Sequence, residues 1–143
     1  MTYNEKLREI ASKGGAIPYI YGTDAEADQI VNKIYKSAQF PICVHFVSTA
    51  GRFFPFPQIR EEREVSIGFA DLMKFRQFTA EGVEEKLEAL RATARDFLRR
   101  LNEDGFFEPV EDVSYVTLFD DDSANMVVLL LSFTLREASG RCD

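Results

Sequence analysis

Hydrophobic and polar residues alternate along this chain with two different periods. Near the start they predict a short helix. Thr2 with Glu5 three positions on makes a capping box, Leu7, Ile10 and Ala11 form a small apolar face, and Gly14-Gly15 stops it. A loop through Pro18 leads to Tyr19, Ile20 and Tyr21, a brief extended stretch. A second helix is better signed. Thr23 and Glu26 make another capping box, Ala27, Ile30, Val31, Ile34, Tyr35 and Ala38 share one face, and Pro41 forbids continuation. From Ile42 to Ser48 the period becomes two. Ile42, Val44 and Phe46 line one face and Cys43, His45 and Val47 the other; both are largely apolar, as in a strand covered on both sides. In RFFPFP, residues 52–57, two prolines exclude a central strand position. Another strand spans about Arg63 to Asp71, with Val65, Ile67 and Phe69 inward and Glu64, Ser66 and Gly68 outward.

The longest helix is predicted from about Ala80 to Asn102, capped by Thr79 and ended by Asp104-Gly105. Val83, Leu87, Leu90, Ala94, Phe97 and Leu101 form its apolar stripe, which Leu98 widens. Its charges are sorted, with Glu81, Glu84, Glu85 and Glu88 in the first half and Arg91, Arg95, Arg99 and Arg100 in the second, an order that suits the helix dipole. A β-hairpin closes the pattern. Val113, Tyr115, Thr117 and Phe119 alternate with Ser114, Val116 and Leu118. After the DDDSAN turn, Val127, Leu129, Leu131, Phe133 and Leu135 alternate with Met126, Val128, Leu130, Ser132 and Thr134. The second arm is the most hydrophobic segment and belongs in the middle of a sheet. The order α-α-β-β-α-β-β predicts a single α+β domain over residues 1–143, with a four-stranded, mainly antiparallel sheet and helices packed mostly on one face.

Composition narrows the chemistry. The 143 residues carry 17 basic and 24 acidic side chains, a formal net charge of −7, which argues against a protein that grips nucleic-acid phosphates along its surface. One His and two Cys cannot build a zinc site of four cysteines, or of two cysteines and two histidines, within one chain, and His45 is the one base a Ser–His–acid triad could use. Nothing in Met1 to Ile10 has the apolar core of a signal peptide, and the apolar run Met126 to Leu131 is far short of the ~20 residues of a membrane span. The expectation is a soluble, cytoplasmic protein.

Each candidate site competes with a plainer account. Cys43 and His45 lie on one strand face, ~6.5–7 Å apart along the chain, too far for a backbone-fixed thiolate–imidazole pair. With Cys142 they would supply three zinc ligands if the tail folded back; a buried thiol and an edge-of-core histidine explain them better. Asp120-Asp121-Asp122, with Ser123 and Asn125, offers oxygen ligands for calcium, but lacks the turn glycine and distant Glu of a calcium loop and suits a solvated turn. Gly14-Gly15 and Gly22 do not make a phosphate-cradling loop. The four arginines of the long helix suit an outward, solvated face better than a basic stripe. Glu61, Glu62, Glu64 and Asp71 give several carboxylates but identify no buried acid/base pair. No catalytic residue, metal or cofactor is expected.

RFFPFP is the feature least like a neutral connector. Phe53, Phe54 and Phe56, punctuated by Pro55 and Pro57 and preceded by Arg52, are too aromatic for an ordinary exposed loop. They either fold under as a local core plug or are presented to another subunit.

GVEEKLEALRATARDFLRRLN (82–102), the hairpin EPVEDVSYVTLFDDDSANMVVLLLSFTLRE (108–137) and the ending with Gly140 and Cys142 together resemble the small tail-terminator or tail-completion proteins of bacteriophages and prophages. The resemblance covers most of residues 24–142; the Phe-Pro loop and the N-terminal helix are not matched. It implies a structural role: a ring, typically a hexamer, that stops the tail tube and offers a surface to the head, or a head–tail joining protein. It also implies assembly in the cytoplasm, a final place in the virion tail, contact with tail-tube or connector proteins, and neither sequence-specific nucleic-acid binding nor a membrane. The acidic charge fits a lumen that passes DNA without holding phosphates. On this reading Arg52, Phe53, Phe54 and Phe56 are the candidate subunit contacts, and Asp120, Asp121, Asp122, Glu61 and Glu62 form a candidate acidic lumen or contact surface. The alternative classes are a small ligand-binding or regulatory α+β domain, with a pocket lined by Phe46, Phe69 and Phe133, and an enzyme built on Cys43 or a carboxylate pair.

Overall fold

A computed structural model describes residues 1–23, 41–72, 79–120 and 126–138. Among them two helices and six strands follow one another: α1 (Tyr3–Ala11), β1 (Tyr19–Gly22), β2 (Ile42–Phe46), β3 (Gly51–Phe54), β4 (Arg60–Leu72), α2 (Ala80–Asp104), β5 (Ser114–Asp120) and β6 (Met126–Arg136). The fold is α+β. The expected second helix over Ala27–Ala38 lies outside the described residues.

The capping box of α1 forms as its sequence predicts: the Glu5 amide donates to Thr2 Oγ1 (3.2 Å) and the Thr2 amide to Glu5 Oε2 (3.1 Å). Thr79 caps α2 by accepting from the Gly82 amide (3.1 Å). Gly105 ends α2 at φ 86°, a left-handed position that a side chain would strain. Leu87, Leu90, Ala94, Phe97 and Leu101 are the buried stripe of α2. Three of its four late arginines are paired with carboxylates: Arg91 with Glu84 and Glu88 (2.6 Å each), Arg99 with Asp96 (2.6 Å) and Arg100 with Asp96 (2.9 Å).

The sheet runs β1-β2-β4-β6-β5, with β3 also paired to β4. The expected four-stranded antiparallel sheet is therefore extended at one side. Tyr19–Gly22 adds a parallel strand beside β2, and Gly51–Phe54 adds a short antiparallel strand beside β4. The two additions have different causes. β1 completes the hydrogen bonding of a strand already apolar on both faces, since Ile42, Cys43, Val44 and His45 are all buried. β3 continues the edge of β4 that β2 occupies, after an interruption. Between the pairs Phe46↔Ser66 and Gly51↔Arg63, four residues (47–50) stand opposite two, and the Ser48 hydroxyl ties this bulge by donating to the Glu64 carbonyl (2.7 Å). The most hydrophobic strand, β6, lies between β4 and β5 as expected.

Both described helices pack on one face. Tyr3, Leu7 and Ile10 of α1 and the α2 stripe cover Cys43, Val65, Ile67, Phe69, Val127, Leu129, Leu131, Phe133 and Leu135. Phe69, Phe97 and Phe133 stack in sequence there, with centroids 5.6 and 6.4 Å apart. The opposite face carries a smaller apolar cluster of Ile20, Ile42, Val44, Ala70 and Met126, against which Phe46 packs. The expected pocket between Phe46, Phe69 and Phe133 is not formed, because residue parity along β2 puts Phe46 on the other side of the sheet from the two core rings.

Candidate functional site

Arg52-Phe53-Phe54 is not a loop. It forms most of β3, and Pro55–Ile59 make the turn into β4, so the two prolines sit beyond the paired positions. Gly51 starts this arm for a steric reason. A Cβ there would stand 2.4 Å from the Glu62 carbonyl oxygen, so any side chain would push β3 off β4.

Parity then divides the arm. Arg52, Phe54, Arg60 and Glu62 occupy the face away from the helices; Phe53 and Glu61 occupy the helix face. On the first face the Phe54 ring is surrounded by guanidinium groups, Arg136 at 4.0 Å, Arg52 at 5.6 Å and Arg60 at 5.9 Å from its centroid. The carboxylate of Glu62 accepts from Arg52 (2.9 Å) and from Arg136 Nη2 (2.9 Å) and Nε (3.1 Å). Glu108 continues the network to Arg60 (2.7 Å) and Arg136 (3.6 Å). Burial pushes the Glu62 carboxyl up, but the hydrogen bonds and charges of Arg136 and Arg52 outweigh it and hold it below the usual carboxylate range.

Above this braced base the tip is apolar and in water. Phe53 is 68 %, Phe56 85 % and Ile59 75 % exposed. The sequence left open whether the aromatic segment is a core plug or a presented surface. Phe54 is the half-buried member, held over the network, while Phe53 and Phe56 face solvent.

The acidic candidates do not form one surface. Glu61 pairs with Arg63 (2.9 Å) on the helix face, and Arg63 in turn lies over the Tyr3 ring (4.3 Å) and donates to Asn4 (3.0 Å). Glu62 is bound into the arginine network on the other face. Asp120 ends β5 opposite Met126, which pairs with Leu72, whereas Glu61 and Glu62 stand at the far end of the 13-residue strand β4. Ten residues of strand put roughly 33 Å between the two groups. Asp121 and Asp122 lie outside the described residues.

Cys43 and His45 are buried on the helix face of β2. Burial pushes the Cys43 thiol well above its ordinary range, which leaves it a packing residue and a poor nucleophile. His45 joins Tyr19 through a 2.5 Å hydrogen bond between Nδ1 and the phenol oxygen, and the Tyr21 ring lies 4.8 Å away. Its imidazole is pushed down to about 4, first by burial and then by the charge of Arg63. Cys142, the third candidate zinc ligand, lies outside the described residues. Among the described residues no group of three or more His, Cys, Asp and Glu side chains is placed to hold a metal ion, and no helix is long and apolar enough to cross a membrane.

Sequence reasoning missed the arginine network. Its members come from β3, β4, the segment after α2 and the end of β6, and the signal available was the mixed-charge run REERE beside the aromatic run. No protein-family model matches the chain, and no curated protein matches it.

Proposed function

We propose that this chain is a non-catalytic structural protein that assembles through its aromatic arm into a ring, as a tail-terminator or tail-completion protein of a phage or prophage. The observation that carries this reading is the arm itself: an exposed Phe53–Phe56–Ile59 tip set on a base locked by Arg52, Glu62, Arg136 and Phe54. Aromatic anchors placed on ordered elements are what protein contacts are built around. A cyclic ring, hexameric on this reading, needs a heterologous contact, in which the arm of one copy meets a different surface of the next.

The resemblance of residues 82–102 and 108–137 to tail terminators supplies the assembly to which such a ring belongs. The partners are then further copies of the chain and a tail-tube or connector protein, in the cytoplasm during assembly and in the virion tail afterwards. The net charge of −7 suits a passage that does not retain DNA.

The test is a Phe53→Ser/Phe56→Ser double variant. Both rings are exposed, so its stability should stay within about 0.5 kcal/mol of the parent. Wild-type protein mixed with tail tubes should cap their ends as rings in electron micrographs, and the variant should leave the ends bare. Equal capping by both proteins, or none by the wild type, would overturn the reading.

A further inference from the structure

The strand β5 lies at one end of the sheet order. Among the described residues its ladder partner is β6 on one side, and its outer edge has none. Natural sheet edges are guarded by lysines, prolines or short length. β3, for comparison, is four residues long and carries Arg52, whereas β5 runs for seven residues and is uncharged from Ser114 to Phe119. It is also apolar on both faces. Tyr115 and Phe119 on the helix side and Val116 and Leu118 on the other are each between 47 and 54 % exposed.

We infer that a second copy of this chain occupies this edge, with β5 paired antiparallel to its own counterpart and Thr117 on the two-fold axis. The strand reads nearly the same in both directions about that residue. Tyr115 falls opposite Phe119 of the second copy, Val116 opposite Leu118, Thr117 opposite itself, and Ser114 opposite Asp120. Aromatic meets aromatic and aliphatic meets aliphatic on the same face, the cross-strand pairs that stabilise antiparallel sheets. The single charge stands at the strand end, so the two copies of Asp120 lie at opposite ends of the new ladder. A parallel alignment would set them side by side. The described helices leave room for the contact. α2 packs over β4 and β6, back from the axis, so strand spacings of ~4.8 Å place the two α2 axes roughly 15–20 Å apart, beyond the 8–10 Å of packed helices.

The contact is small. Half of two aromatic and two aliphatic side chains, with the strand backbone, buries roughly 800 Å2 over both copies, below the ~1,200 Å2 of stable complexes. The dimer is therefore weak and concentration-dependent. The pairing is isologous and closes on itself, so it stands independently of the ring formed through the arm.

Thr117→Lys and Thr117→Glu variants test the register, because each sets like charges face to face across the axis. By sedimentation between roughly 10 µM and 1 mM, the wild type should rise toward twice its 16.3 kDa mass. Each variant alone should associate at least about tenfold more weakly, and an equimolar mixture of the two should recover the dimer. Recovery also shows that both variants are folded. In a Cys142→Ser background, Thr117→Cys should give a disulfide-linked dimer on mild oxidation, and Thr134→Cys should not. A wild type that stays at 16.3 kDa, variants that associate as it does, or a mixture no better than its parts would overturn the pairing. Phe53→Ser/Phe56→Ser should leave this dimer intact, so loss of rings and loss of the dimer are read separately.

Discussion

Lowering the pH should destabilise this protein through His45 before its carboxylates are titrated. The imidazole is 2 % exposed, and burial, with the nearby charge of Arg63, holds its folded pKa at about 4 against 6.5 in the unfolded chain. Between these values the unfolded state binds a proton that the folded state refuses, so stability rises with pH across the window. The contribution is complete above pH 6.5 and is lost as the pH falls toward 4. At about 1.36 kcal/mol for each tenfold change in proton affinity, the gap amounts to about 3 kcal/mol. Glu62 and Asp96 are both held below their ordinary values by arginine partners, so their losses come at lower pH. Urea unfolding at steps from pH 8 to 4 measures the slope. A His45→Phe variant should have a lower plateau, because Tyr19 loses its partner, and a much flatter profile between pH 6.5 and 4.5. His45 is the one histidine in the sequence, so its imidazole proton resonance can be followed by NMR without assignment. A folded-state titration near 6.5, or equal slopes for parent and variant, would refute the reasoning.

Two further outcomes concern the arm. Gly51→Ala should cost about 1–3 kcal/mol and raise hydrogen exchange at residues 51–54, since its Cβ would meet the Glu62 and Arg63 backbone at 2.4 and 3.2 Å; an unchanged melting temperature would contradict the steric argument. Arg136→Ala should cost about 1–3 kcal/mol at pH 7 by removing the guanidinium nearest Phe54 and two of the hydrogen bonds to Glu62. Because Arg136 helps hold the Glu62 carboxyl below its ordinary range, that difference should shrink as the pH falls and Glu62 takes up its proton, and urea titrations at pH 7 and at successively lower pH check it.

What the sequence could show depended on where a core existed to impose a pattern. The stripe of α2, the alternation of β6 and the two-faced apolar run of β2 are all written by burial, and the elements formed where those patterns stood. The arm was illegible for the same reason. Arg60, Glu61 and Glu62 are all charged where a strand signal would alternate apolar and polar, and the pairing of this segment is held by Arg52, Arg136 and Phe54 instead of by a core. Pro55 and Pro57 argued against a central strand position; they belong to the turn and remove no ladder donor, so they do not bar the short strand that precedes them. The parallel register of Tyr19–Gly22 beside Cys43–Phe46 has no local signature either, because nothing within four residues specifies a neighbour more than twenty positions away. The candidate site was legible in its residues and not in their pairing: Arg52, Phe53, Phe56 and Glu62 stand out by type, whereas the joining of Glu62 to positions 52 and 136 depends on strands that meet only in the fold.

The strand β4 runs unbroken from the foot of the arm to the far end of the sheet. It is clamped along one edge by β6 over Glu62–Leu72 and along the other by β2 and β3. A pull on the tip at Phe56 is thus directed along the strand, and the flanking hydrogen bonds resist it together, in shear, where a tip carried on a loop would let them peel one after another. The arm is a tie rod anchored through the whole breadth of the domain.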